Sequence, residues 1–267
     1  METSPYPCHY EPTVSKEHFI PDHIFVYMET GFMNVFYDNR MYEMRPGDYC
    51  FIARNHLARY HKGGLDGQPF KSVSVFVTQE FLRAFASEYG YATDALPGTE
   101  DDAILHLDHH PMLESYVQSM RPYMKLDGPE RNDFMALKTR ELVLLLLKTN
   151  PALKQVLFDF SDPGKIDLED FMNRNFRFNV SLQRFSYLSG RSLTVFKEDF
   201  KKIFNTSPGR WLIEKRLTEA RFQIETLGRM PSEVYLEVGF EDLSHFSFAF
   251  KKMFGASPST VRPGNAK

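Results

Sequence analysis

The chain has 267 residues, 42% of them hydrophobic and 25% charged, with a formal net charge of −3. At ~100–200 residues per domain this is the make-up of an ordinary globular protein; the length suggests two domains and leaves one or three open. The longest apolar run, Leu142 to Leu147, is far short of the ~20 residues of a membrane span. Two cysteines, Cys8 and Cys50, exclude a disulfide scaffold and a four-cysteine zinc site. The opening Met1-Glu-Thr-Ser-Pro has neither a basic start nor an apolar stretch, so the expectation is a reducing cytoplasm with no secretory signal.

Residues 23–28, 32–37, 40–44, 48–52 and 70–78 are rich in aromatic and β-branched side chains and are predicted as short strands. Gly31, Asp38-Asn39 and Pro46-Gly47-Asp48 punctuate them at hairpin spacing, a rhythm that predicts a small β-barrel or sandwich. Tyr27 and Tyr42, if they point inward, are candidate ligand-binding residues; barrels this small are also commonly filled by their own side chains. A metal site would need imidazoles and a carboxylate converging on one ion. His23, His56 and His61 lack that spacing and His109-His110 fall outside the strands, so no metal and no cofactor is expected.

From Gln79 the pattern turns helical, over 81–89, 112–124 and 132–148, with loops at Leu96-Pro97-Gly98 and Asp127-Gly128-Pro129. The last of these helices carries Leu137, Glu141, Leu144 and Lys148 in one stripe, and Leu142, Leu145 and Leu146 on a second apolar face. A helix apolar on more than one side contacts more than its own domain or packs closely into it, and both readings stay open. Asp159-Phe-Ser-Asp-Pro-Gly164 is predicted as a hinge.

Beyond Lys165 the charge changes sign. Residues 166–267 hold 16 Lys and Arg against 12 Asp and Glu, a net of +4, which leaves −7 on the rest. Such asymmetry is a hint of one nucleic-acid-binding segment attached to something else. The same region contains an internal repeat: residues 192–208 match residues 242–258 at 8 of 17 positions, including Phe196/Phe246, Phe200/Phe250, Lys201/Lys251, Lys202/Lys252 and Pro208/Pro258. Chance would give about one, and one supersecondary unit used twice explains the rest.

Each copy predicts a helix capped by Ser192 or Asp242, with a buried stripe on Phe196, Phe200 and Ile203/Phe204, or on Phe246, Phe250 and Met253/Phe254. Before each lies a shorter helical run, 182–188 and 233–238, and a glycine turn at Gly190 or Gly239. Between the copies, Ile213, Leu217, Ala220, Ile224 and Leu227 predict one linker helix over 208–227, roughly 30 Å long. The faces opposite the phenylalanines carry Thr194, Val195, Glu198, Lys201 and Lys202, and then Ser244, His245, Phe248, Lys251 and Lys252. Short polar groups near the helix start with lysines farther along suit a major groove, where the former reach base edges and the latter phosphates. On spacing alone, a duplicated helical hairpin that binds protein stays open as the alternative.

The region resembles the AraC/XylS family of bacterial transcription regulators. The likeness runs over residues 180–262 and is densest from Tyr235 to Ser259: a Gly239-Phe240 turn, Phe246 four residues before Phe250-Lys251-Lys252, then Gly255-x-x-Pro258. Trp211-Leu-Ile-Glu-Lys-Arg-Leu-Thr-Glu-Ala-Arg221 matches the family's linker helix, with its Arg-Leu-x-x-Ala core. The resemblance implies two helix-turn-helix subdomains that each insert a second helix into double-stranded DNA. By position it makes Thr194, Val195, Lys197 and Glu198, then Leu243, Ser244, His245 and Ser247, the base-facing set, with the four lysines on phosphates and Ser192 counted among the DNA-binding residues. Glu198 and Phe248 stand where many members carry Arg, and Ser186 and Tyr235 fill a position that is often Ala. The Arg45-Pro-Gly-Asp turn resembles that of the cupin-like sensor domains the family often carries. The implied fold class is therefore α+β: a cupin-like β-barrel with a helical dimerisation segment over residues 1–160, then an all-α DNA-binding domain over 165–267. The implied activity is that of a non-enzymatic regulator, an activator in contact with RNA polymerase. A small-molecule effector or a protein partner is expected at the N-terminal half, a homodimer is expected there as well, and a protein-interaction module with a degenerate DNA-binding half is the alternative.

Overall fold

A computed structural model describes residues 13–14, 19–38, 40–91, 103–126 and 128–261. Cys8, the turn residue Asn39, the Leu96–Gly98 loop, Asp127 and Arg262 lie outside the described residues. The chain divides into two compact units, one of Ile20–His56 and Tyr60–Ser161, the other from Asp162 onward together with Phe19 and Leu57–Arg59.

The first unit contains two open four-stranded antiparallel sheets. One runs β1 (Thr13–Val14), β8 (Arg59–Gly63), β4 (Phe32–Tyr37), β5 (Arg40–Met44) in spatial order. The other runs β10 (Ile104–Leu107), β6 (Tyr49–Ile52), β3 (His23–Thr30), β9 (Lys71–Val77). A further pair joins β2 (Phe19–Ile20) and β7 (His56–Leu57). The expected barrel is thus not closed among the described residues. The reason is the path of the chain at two of the predicted hairpin turns. At Gly31 the chain leaves β3 for β4 in the other sheet instead of folding back on β3. At Arg45-Pro-Gly-Asp it crosses back from β5 to β6, the turn being closed by Asp48 N–H donating to the Arg45 carbonyl at 3.0 Å. Only β4 and β5 form the expected hairpin, in register from Met33 with Met44 to Tyr37 with Arg40.

Alternation places Phe25, Tyr49, Phe51, Val73, Val75 and Val77 on the face of the second sheet that packs against helices. Those helices are α1 (Gln79–Tyr89), α2 (Pro111–Tyr123), α3 (Pro129–Thr149) and α4 (Leu153–Leu157). Thr78 caps α1 by accepting from Phe81 N–H, and His110 caps α2 ahead of Pro111. On α3, Leu142, Leu145 and Leu146 are buried in this cluster, while Leu137 and Leu144 of the other stripe are exposed. Strands β7, β8 and β10 are short and carry His, Arg or Lys, so the sequence shows no strand pattern there.

From Asp162 onward the elements of the second unit are helices: α5 (Leu168–Asn175), α6 (Leu182–Leu188), α7 (Leu193–Phe204), α8 (Pro208–Glu225), α9 (Pro231–Glu237) and α10 (Leu243–Phe254). Its apolar residues fall into two separate clusters. Phe185, Leu188, Phe196, Phe200 and Leu212 pack with α5 residues Leu168 and Met172. Leu217, Ala220, Ile224, Val234, Phe246 and Phe250 form the other. The linker helix α8 therefore supplies one core with Leu212 and the other with Leu217, one turn later. At about 1.5 Å per residue its 18 residues span about 27 Å. Ile213 and Leu227, counted in its stripe from sequence, are exposed, and Leu212 and Gln223 are buried instead.

Candidate nucleic-acid interface

Two helical hairpins are built the same way. Ser192 caps α7 with its hydroxyl accepting from Val195 N–H at 3.3 Å, and Asp242 caps α10 with its carboxylate accepting from His245 N–H at 2.7 Å. Both helices end on a left-handed residue, Asn205 and Gly255, whose N–H donates to the carbonyl of Lys201 or Lys251. Each turn is closed by one backbone bond, Arg191 N–H to Ser186 O and Phe240 N–H to Tyr235 O, both 2.9 Å. Phe196 and Phe200, and Phe246 and Phe250, are fully buried. The stripe continues on Phe204 and Phe254, whereas Ile203 and Met253 are exposed. Tyr235, at the often small position, is half-buried beside Phe246 with ring centroids 6.5 Å apart.

The faces opposite the phenylalanines are open. Ser192, Thr194, Val195, Lys197, Glu198, Lys201 and Lys202 are all exposed on or next to α7. On α10 the exposed set is Leu243, Ser244, His245, Phe248, Lys251 and Lys252, with Ser247 half-buried. The fold thus places the residues of each half of the sequence-derived set along one helix or at its cap, all of them exposed except Ser247. It does not unite the other candidate pair: Tyr27 lies on β3 beside Tyr49, with centroids 4.8 Å apart, and Tyr42 lies on β5 opposite Val35 in the other sheet. Neither lines the groove of about 590 Å³ beside Glu29, Lys71, Arg121 and Lys125.

The electrostatics of the two faces differ. On α7, Asp199 accepts from Arg191 Nε at 3.2 Å and lies 3.7 Å from Lys165 and 3.9 Å from Lys202. The Arg191 hydrogen bond, with those cations nearby, holds the Asp199 carboxyl below its usual range. Between Asp242 and Gly255, α10 has no acid at all. In this hairpin the ion pair ties α9 to the segment before it, where Arg229 grips the Glu237 carboxylate with both terminal nitrogens and keeps it below the usual Glu range.

Sequence reading assigned no role to Arg216, which emerges between the two hairpins. It lies one turn from both Leu212 and Ala220, so an arginine on the buried side of the linker helix was the available signal. Its Nε donates to Phe176 O at 2.7 Å, one terminal nitrogen to Phe178 O at 2.8 Å and the other to Gly239 O at 2.9 Å. Burial lowers its pKa to about 10, so it stays charged at neutral pH.

Paired, capped helix-turn-helix units with cationic outer faces define a DNA-binding regulator type of domain. Residues 188–263 match a family model described as a helix-turn-helix domain, and residues 23–156 match the ExsA N-terminal regulatory domain. The transcriptional regulator ExsA of Pseudomonas aeruginosa is 24% identical over 83% of this chain and 79% of its own. The virulence regulon transcriptional activator VirF of Yersinia enterocolitica is 26% identical over 84% and 83%. Among solved structures, an apo variant of ToxT from Vibrio cholerae covers 96% of both chains at 13% identity and a TM-score of 0.46. The chain belongs to the AraC/XylS family of transcriptional regulators.

Proposed function

We propose that the chain is a sequence-specific DNA-binding activator that lays α7 and α10 in successive major grooves on one face of a duplex. The observation that carries this reading is the shared build of the two helices: exposed small polar groups at the N-terminal end, paired exposed lysines one to two turns on, and a buried phenylalanine face behind. Lys201, Lys202, Lys251 and Lys252 dock on phosphates. Thr194, Val195, Lys197 and Glu198, then Leu243, Ser244, His245 and Ser247, meet base edges, with Glu198 suited to cytosine N4. The Ser192 hydroxyl, already accepting from Val195 N–H, keeps its proton for a phosphate or base oxygen. A linker of about 27 Å is of the right order for grooves ~34–36 Å apart. In this reading residues 165–267 bind DNA and residues 1–160 form the regulatory, self-associating part, with the exposed Leu137 and Leu144 of α3 facing a second copy.

A second reading, a protein-interaction module, is favoured by Phe248, which is 70% exposed in the middle of α10. Gel shifts on genomic fragments across a salt series separate the two. DNA binding that falls steeply with salt supports the regulator; binding that is absent or indifferent to salt overturns it. A Phe248→Ala variant that keeps DNA binding but loses RNA polymerase contact would place that side chain on the transcription machinery.

A further inference from the structure

Among the described residues the two hairpins share no apolar core. The first cluster ends at Leu212 and the second begins at Leu217, so their mutual angle is set by α8 and by polar contacts along it. At the centre of those contacts is the Arg216 guanidinium. It joins three backbone carbonyls: Phe176 and Phe178, at the end of α5 and in the segment leading to α6, and Gly239, in the turn that aims α10. Around it, Arg177 bonds Glu219 of α8 at 2.8 Å, and Asn179 donates to Glu241 of the second turn. Gly239 is shaped to receive the guanidinium. It has a φ of +98°, and a Cβ there would lie 2.6 Å from Arg177 O and 2.9 Å from Arg216 Cζ and Nε.

We propose that Arg216 is a positioning residue that locks the angle between the two reading helices and so makes recognition sensitive to the spacing of two half-sites. The inference rests on the DNA-binding reading above. The physics is that of a rigid bivalent binder: a linked second contact strengthens binding only when geometry lets both engage. One inserted base pair rotates a half-site by about 34° as well as displacing it, since B-DNA turns once in 10–10.5 base pairs. A fork fixed on three carbonyls adds resistance to that rotation beyond what the seating of Leu212 and Leu217 of α8 in the two cores supplies. Each donor is separately directed, so a lysine, with one compact charge in place of the planar fork, cannot hold all three.

The test uses the full chain. Sites are selected from random duplex DNA with the wild type, and the chosen site is then remade with one base pair added to or removed from its centre. The wild type is expected to lose about tenfold or more in affinity on the altered sites. Arg216→Ala is expected to bind the original site more weakly and to discriminate among spacings by less than about threefold, with Arg216→Lys between the two. Gly239→Ala, whose Cβ crowds both the guanidinium and the Arg177 carbonyl, should imitate Arg216→Ala. Circular dichroism and melting establish that the variants are folded, and Arg216→Lys carries the test where Arg216→Ala is not. An Arg216→Lys or folded Arg216→Ala protein with wild-type spacing discrimination overturns the proposal while DNA binding stands. So does a wild type indifferent to spacing. A wild type that selects no DNA overturns the DNA-binding reading itself, and this inference with it.

Discussion

The two helix-turn-helix units share caps, glycine turns and phenylalanine faces, yet the second turn is one residue longer. From Gly190 to the Ser192 cap is two residues; from Gly239 to the Asp242 cap is three. The added residue lets Glu241 face Asn179 of the first half. The turn glycines also serve different neighbours. A Cβ on Gly190, at a φ of +66°, would lie 2.3 Å from the Gly164 carbonyl, so this glycine admits the incoming chain from the hinge. Gly239 admits Arg216. One motif, used twice, is thus tied once to the chain that enters the domain and once to the linker that spans it. The first unit spends acids on its own scaffold, through Asp199 with Arg191, and the second leaves its reading helix purely cationic.

Breaking each core separately gives the largest expected effect. Phe196→Ala and Phe246→Ala should each destabilise by about 3–5 kcal/mol. Amide hydrogen exchange should show lost protection centred on α6 and α7 for the first, and on α9 and α10 for the second. Equal loss in both units from either variant would mean that they unfold as one body.

The glycines come next. Gly190→Ala should cost about 3 kcal/mol, because its Cβ would meet only backbone, at Gly164 and Lys165, and Gly239→Ala about 2 kcal/mol, because there only the Arg177 carbonyl is backbone and the Arg216 side chain can yield. Denaturant melts check the order, and a reversed order would mean that the Gly164–Lys165 backbone gives way more readily than the Arg177 carbonyl.

A sharper comparison concerns the lysines. Lys252→Ala should flatten the salt dependence of DNA binding by about one unit of slope. Lys202→Ala should flatten it less, because Asp199 lies 3.9 Å from that ammonium and already neutralises part of its charge. Equal slopes would remove Asp199 from the account.

The smallest effect is that of acid. Arg229 depresses the Glu237 pKa below its ordinary 4.5, so the pair's contribution is complete above pH 4.5 and is lost as pH falls through the lower folded value. Asp199, held below 3.8 by Arg191, behaves likewise from pH 3.8 downward. Both pairs are partly exposed, and the Arg229–Glu237 pair should contribute no more than about 1 kcal/mol. Carboxyl NMR titration checks the direction: a Glu237 midpoint above 4.5 would show that burial outweighs the arginine.

What was legible in the sequence was local in origin. Helix α7 is written in a capping serine, phenylalanines four residues apart and lysines on the other side, all within twelve residues, and the repeat at α10 doubles the signal. Helix propensity, capping and amphipathic periodicity act over a turn or two, so the sequence alone determined α7 and α10 and which side of each is buried. The hairpin of β4 and β5 is equally local. The tertiary structure alone decided which sheet β3 and β4 each join, since the crossing at Gly31 depends on neighbours more than thirty residues away, such as Gly63 and Phe70. It alone placed Arg216 on carbonyls 23 to 40 residues distant. A charged side chain on the buried side of a helix announces that it needs partners. Which partners those are is a property of chain segments brought together by folding, and no spacing along the sequence records it.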